Sequence, residues 1–155
     1  METLSYEKVI DAPRQAVWDV LWGNETYPQW TQFFEKGSEM KSDWQVGGKT
    51  YFLNAEGRGM VSTIDSLQQP DHVVFKHLGT VDKEGNEDTR SRDVMQWSGF
   101  YERYLLIDFE GRTKLHIEVQ ADKNWHDRLE KGFTEGLEIV RQLAEQGKSY
   151  DRNSF

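Results

Sequence analysis

The sequence contains no cysteine, so it can form no disulfide, offer no thiol nucleophile and supply no thiolate to a metal. Positive charge is in deficit: 19 Lys and Arg stand against 27 Asp and Glu, a formal net charge of -8. That balance argues against a nucleic-acid backbone or an anionic membrane as the main partner. No apolar run is long enough to span a bilayer, and the opening METLSYEKVI lacks a basic segment followed by an apolar one. The expectation is a soluble, cytoplasmic protein. The histidines are few and badly spaced for a metal: His72 and His77 fall on opposite faces of one strand, His116 faces outward and His126 starts a helix. No metal or other cofactor is expected.

Aromatic residues are plentiful at 13%, with six Trp, although hydrophobic residues make up only 36% of the chain. Much of the interior volume must therefore come from rings, which can line a cavity or fill one. The length of 155 residues suits one domain, placed at 1–148, with an aperiodic tail over 149–155.

Ser5–Ile10 reads as a strand, and Asp11-Ala12-Pro13 stops it and opens a short helix carrying Val17, Trp18, Leu21 and Trp22 on one side. Tyr27, Trp30, Phe33 and Phe34 predict a second short helix, with Pro28 tolerated only near its start. Strands follow at 38–44, 49–55, 58–68, 72–80, 97–109 and 112–121. Gly47-Gly48, Glu56-Gly57 and Glu110-Gly111 supply tight turns, while Gln69-Pro70-Asp71 breaks the chain between the remaining pair. Gly57-Arg58-Gly59 looks superficially like a phosphate loop but lacks the lysine and the following helix, so it reads as a hairpin. The charged stretch 81–96 is expected to be a long loop. Trp125, Leu129, Phe133, Leu137, Val140 and Leu143 then mark one face of a helix over 125–146, which Asp122 or Asn124 can cap. Gly132 and Gly136 inside it imply that something approaches the helix backbone closely.

The order of strand, two short helices, six-stranded meander and long helix resembles the SRPBCC (START and pollen-allergen-like) superfamily. Ala12-Pro13-Arg14-Gln15-Ala16-Val17-Trp18 is similar to that family's opening, and Trp30 with Val46-Gly47-Gly48 is similar to its AHSA-type branch, the activators of heat-shock-protein-90 ATPase. The resemblance implies an α+β helix-grip fold: a curved antiparallel sheet of about seven strands, two short helices, and a long C-terminal helix over an apolar cavity. Members bind lipids, sterols, plant hormones or polyketide intermediates, some catalyse aromatisation, cyclisation or hydration there, and the co-chaperone branch acts on a protein partner. A shared fold licenses no single reaction.

Alternation separates candidate cavity residues from solvated ones. Leu115, Ile117 and Val119 oppose Lys114, His116, Glu118 and Gln120, and Phe75 carries His77 to its own face. Over 97–109 both faces are apolar enough to be buried, one bearing Tyr101 and Arg103, the other Glu102 and Tyr104. The candidate ligand set is Trp18, Trp30, Tyr51, Phe75, His77, Tyr101, Arg103, Leu115, Ile117, Leu129 and Phe133. Arg103 and His77, if both inward, would suit a carboxylate or a carbonyl. The function expected is binding of a small hydrophobic or aromatic molecule. A cyclase or dehydratase in the same cavity, or a co-chaperone-like accessory protein acting through its surface, are the alternatives. The chain is expected as a monomer or homodimer.

Overall fold

The structure is a computed structural model that describes the backbone of residues 1–153 and the side chains of 1–147. Strand β1 (Glu2–Ile10) ends at a bend, and Pro13 caps helix α1 (Arg14–Trp22) without a side-chain hydrogen bond. Helix α2 (Tyr27–Thr31) is only five residues long and carries Pro28 in its first turn, where the missing N–H has no helical partner to lose. The meander follows as β2 (Glu39–Ser42), β3 (Lys49–Leu53), β4 (Gly59–Gln68), β5 (His72–Val81), β6 (Glu87–Asp88), β7 (Tyr101–Phe109) and β8 (Arg112–Ala121), with helix α3 (Arg92–Met95) between β6 and β7. Helix α4 (His126–Asn153) closes the chain. The tail expected over 149–155 lies outside the residues whose side chains are described.

The strands form one antiparallel sheet in the order β1-β8-β7-β5-β4-β3-β2, with β6 pairing β5. The first strand of the chain thus lies beside the last, in register from Glu2 with Ala121 to Ile10 with Thr113. The segment 81–96 is not an unstructured loop. β6 pairs Thr80 and Val81, α3 buries Val94, and Glu87 binds both Lys49 and Tyr51 across β3. Its charges are solvated on one side, while the few apolar residues among them tie it down.

The inner face of the sheet and α4 share one core. Along α4 the buried stripe is Phe133, Leu137, Val140 and Ala144, with Leu129 and Leu143 half-buried. Trp125 does not begin that stripe. It ends a 3-10 turn (Lys123–Trp125), is 50% exposed, and stacks under the Arg128 guanidinium. The two helix glycines answer to α2 and the turn after it, not to a strand: a Cβ on Gly132 would meet the Phe34 ring at 2.3 Å, and one on Gly136 the Trp30 carbonyl oxygen at 2.5 Å.

Two outcomes follow from this packing. A backbone carbonyl cannot step aside as a ring edge can, so Gly136→Ala should destabilise the fold by about 1–3 kcal/mol despite the better helix propensity, and Gly132→Ala by less, as measured by urea denaturation. Separately, hydrogen bonds from Arg141 and Lys8 lower the Glu138 carboxyl from its ordinary 4.5 to about 2. Its stabilisation is therefore complete above about pH 4.5 and is lost as pH falls toward about 2. Glu138→Gln should flatten the acid limb of the stability curve in that window. Because the carboxylate is 35% exposed, the loss at neutral pH should stay below about 1 kcal/mol.

Candidate functional site

Helix α1 sets its Trp18 and Trp22 rings against the sheet, and Trp22 becomes the centre of an aromatic cluster. Its ring centroid lies 4.8 Å from Tyr104, 5.5 Å from Phe75, 5.8 Å from Trp44 and 6.4 Å from Tyr27. Trp44 reaches the cluster from the β2–β3 connection, where its backbone is left-handed with a φ of 54°. That conformation is uncommon for a bulky residue. The turn holds it with a hydrogen bond from the Trp44 N–H to the Ser42 hydroxyl, 3.0 Å, and one from the Gly47 N–H to the Ile64 carbonyl, 2.9 Å. Trp22, Trp44 and Phe52 are each only half-buried, so the cluster reaches the surface. The Trp22 Nε1 is buried and has no hydrogen-bond partner, as does the Tyr6 hydroxyl nearer α4.

Beside these rings lies a line of polar groups. A register shift in the β4–β5 pairing sets Ser62 opposite His77, and the Ser62 hydroxyl shares a 2.7 Å hydrogen bond with His77 Nδ1. His77 Nε2 stands 3.6 Å from Glu102 Oε2, close enough for an ion pair but too far for a direct hydrogen bond. The Tyr104 hydroxyl donates to Glu102 Oε1 at 2.6 Å. His77 is 6% exposed as a residue, and the Glu102 side chain 17%. Burial, and then the negative charge of Glu102, push the Tyr104 and Tyr27 hydroxyls well above their ordinary value. Both therefore remain protonated donors. Among the described residues no group of three or more His, Asp or Glu side chains converges on a metal position.

Most of the expected ligand set converges. Trp18, Trp30, Phe75, His77, Leu115, Ile117 and Phe133 are buried on the inner side, with Leu129 half-buried at its edge. Three residues are not there. Tyr51 points outward because Thr50 and Phe52 take the inner positions of β3, and its hydroxyl donates to Glu87 at 2.7 Å. Tyr101 and Arg103 also face outward, with Arg103 over the Tyr101 ring and 3.2 Å from Glu118. The inner face of β7 is the other one, carrying Glu102, Tyr104 and Leu106. The pairing of Arg103 with His77 around a carboxylate is thereby ruled out.

Between sheet and helix the rings lie against one another: Tyr6 stacks on Phe133 at 4.7 Å and Phe34 meets Phe133 at 4.8 Å. Two concavities open at the surface, one of about 490 Å³ by Arg58, Thr80 and Glu87, and one of about 300 Å³ between β1 and α4 by Tyr6, Lys8 and Phe133.

A curved antiparallel sheet gripping one long helix, with two short helices after the first strand, defines a helix-grip domain of the SRPBCC kind. The profile of the family described as Activator of Hsp90 ATPase homolog 1-like protein matches residues 11–145, and the chain belongs to that family. No curated protein matches it. Among solved structures it is similar to DynU16, from the dynemicin biosynthetic locus, with a TM-score of 0.67 and 14% identity over 95% of this chain and 48% of that one. The chain thus spans about half the length of DynU16. It is also similar to the Aha1 dimer from Colwellia psychrerythraea (TM-score 0.67, 15% identity, 96% of this chain and 99% of that one). A protein from Mesorhizobium loti gives a TM-score of 0.70 at 13% identity, over 94% of this chain and 98% of that one. At such identities the likeness is one of fold. Among the described residues no helix is long and apolar enough to cross a membrane.

The buried hydrogen bond can be tested directly. Ser62→Ala should leave His77 Nδ1 without its partner and cost about 1–3 kcal/mol. In a His77→Phe background the same change should cost little, so a double-mutant cycle in urea should return a coupling of about 1–3 kcal/mol.

Proposed function

We propose that this protein binds a small apolar or aromatic molecule, which enters where Trp22, Trp44 and Phe52 reach the surface and settles against the cluster they share with Phe75 and Tyr104. The observation that carries the proposal is the unpartnered Trp22 Nε1–H, buried among rings. A buried donor without an acceptor costs roughly 1–3 kcal/mol. A ligand whose aromatic face accepts from it while covering the half-exposed rings recovers part of that cost and removes apolar surface from water.

The packed rings imply that the ligand takes its place by moving side chains. Trp44 is the ring best suited to move, because it is held by a short connection and not by a strand or a helix. The membership of a family described by its activation of an ATPase supports a second reading, an accessory protein acting on a partner through its surface. The His77–Glu102 pair supports a third, proton transfer on a bound molecule. Binding comes first because it requires only the ring cluster. Action in the cytoplasm, as monomer or homodimer, completes the proposal.

Native mass spectrometry of the purified chain, before and after denaturation, should release a copurifying small molecule. Trp44→Ala should raise the affinity for a bulky aromatic ligand by about tenfold, since its ring no longer has to be displaced. Unchanged affinity in a folded variant would count against entry at this point. A protein that carries no ligand and is stabilised by no fatty acid, sterol or aromatic polyketide would favour the surface-acting reading.

A further inference from the structure

We infer that the ligand presents a hydrogen-bond donor or a positive charge at its polar end, and not a carboxylate. This rests on the binding proposal and adds the chemistry of the head group. The formal charge that faces the ring cluster is the carboxylate of Glu102, and His77 is the basic side chain within ion-pair distance of it among the described residues. The neighbouring Arg and Lys side chains are turned away or engaged at the margins. Arg103 pairs with Glu118 on the outer face, Lys76 lies 3.7 Å from Asp65, Arg14 binds Asp71, and Lys8 binds Glu138 at 2.6 Å beside α4.

Glu102 is also short of donors. Oε1 accepts from Tyr104, whereas Oε2 has only the imidazole at 3.6 Å. Oε2 keeps an edge to solvent, the Glu102 side chain being 17% exposed, so a ligand that covers this edge must replace water there with a donor of its own. The rings nearby strengthen the same preference, because the faces of Trp22, Trp44 and Tyr104 carry negative potential and attract cations. An anionic head group would meet the like charge of Glu102 where the half-buried rings limit screening by water.

Both an ammonium and a neutral hydroxyl supply such a donor, and three probes on one skeleton separate these from an acid: 2-(2-naphthyl)ethylammonium, 2-(2-naphthyl)ethanol and 2-naphthylacetate. Titration calorimetry on the full chain is expected to show the acetate binding at least about tenfold more weakly than the better of the other two. An ammonium that exceeds the alcohol by about tenfold identifies an ionic head group, and equal affinities identify a neutral donor. In Glu102→Gln the gap between ammonium and acetate should close to within about threefold. An acetate that binds the unaltered chain as tightly as the ammonium and the alcohol overturns the inference while leaving the binding proposal standing. No heat of binding from any probe overturns both. The ranking on the unaltered chain decides the matter even if the variant fails to fold.

Discussion

The structure depends on covering a wide sheet with a narrow helix. Seven strands spaced by about 4.8 Å span roughly 30 Å, whereas a helix with its side chains is about 10–12 Å across. Helix α4 therefore lies along β1 at one side of the inner face, where Tyr6, Leu115 and Ile117 share a core with Phe133, Leu137 and Val140. The rest must be filled by something shorter and broader. Helices α1 and α2 and the Trp44 turn do this with rings, which bury more area per residue than any aliphatic side chain. The aromatic richness and modest hydrophobicity of the chain are two sides of this one requirement.

Close packing of this kind is specific about the backbone. Gly132 and Gly136 let α4 approach Phe34 and the Trp30 carbonyl, and Trp30 in turn donates its indole N–H to the Leu21 carbonyl at 3.0 Å. The segment around α2 is thus clamped between α1 and α4. The polar line from Ser62 to Tyr104 lies at the far side of the ring cluster, where β5 and β7 meet and α4 does not reach. Fold and site divide the inner face between them: α4 stabilises one half, and the rings of α1 and the Trp44 turn shield the other.

Much of this was legible in the sequence, and the failures have physical causes. β8 alternates strictly, so its inner face could be read directly, and Phe75 carried His77 with it. The stripe from Leu129 to Leu143 gave α4, although Trp125 falls outside it because the chain is still in a 3-10 turn there. β7 was ambiguous because its outer face bears Leu105 and Ile107 as well as Tyr101. Alternation has no force when both sets are apolar, and the choice was made by pairing with β5 and β8. Tyr51 and Phe52 posed the same problem within two residues. Glu102 could be seen as one of two possible inward charges, but the register shift that brings Ser62 to His77 is a bulge within the β4–β5 hairpin that no residue pattern in either strand announces. Trp44 gave none either, since nothing in Asp43-Trp44-Gln45 announces a left-handed tryptophan.

The pairing of the first strand with the last also governs how the chain comes into being. β1 is synthesised more than a hundred residues before its partner β8, with Glu2 opposite Ala121 and the Thr113 hydroxyl bonded to the Ala12 carbonyl. Until then β1 has an inner face of Leu4, Tyr6 and Ile10 and no strand beside it. The β2–β5 meander can form from neighbours in sequence, but the β1 edge cannot close before β8 has been made. Until β8 has been made, β1 is therefore an open strand edge, free to pair with a strand of another chain in place of its own partner.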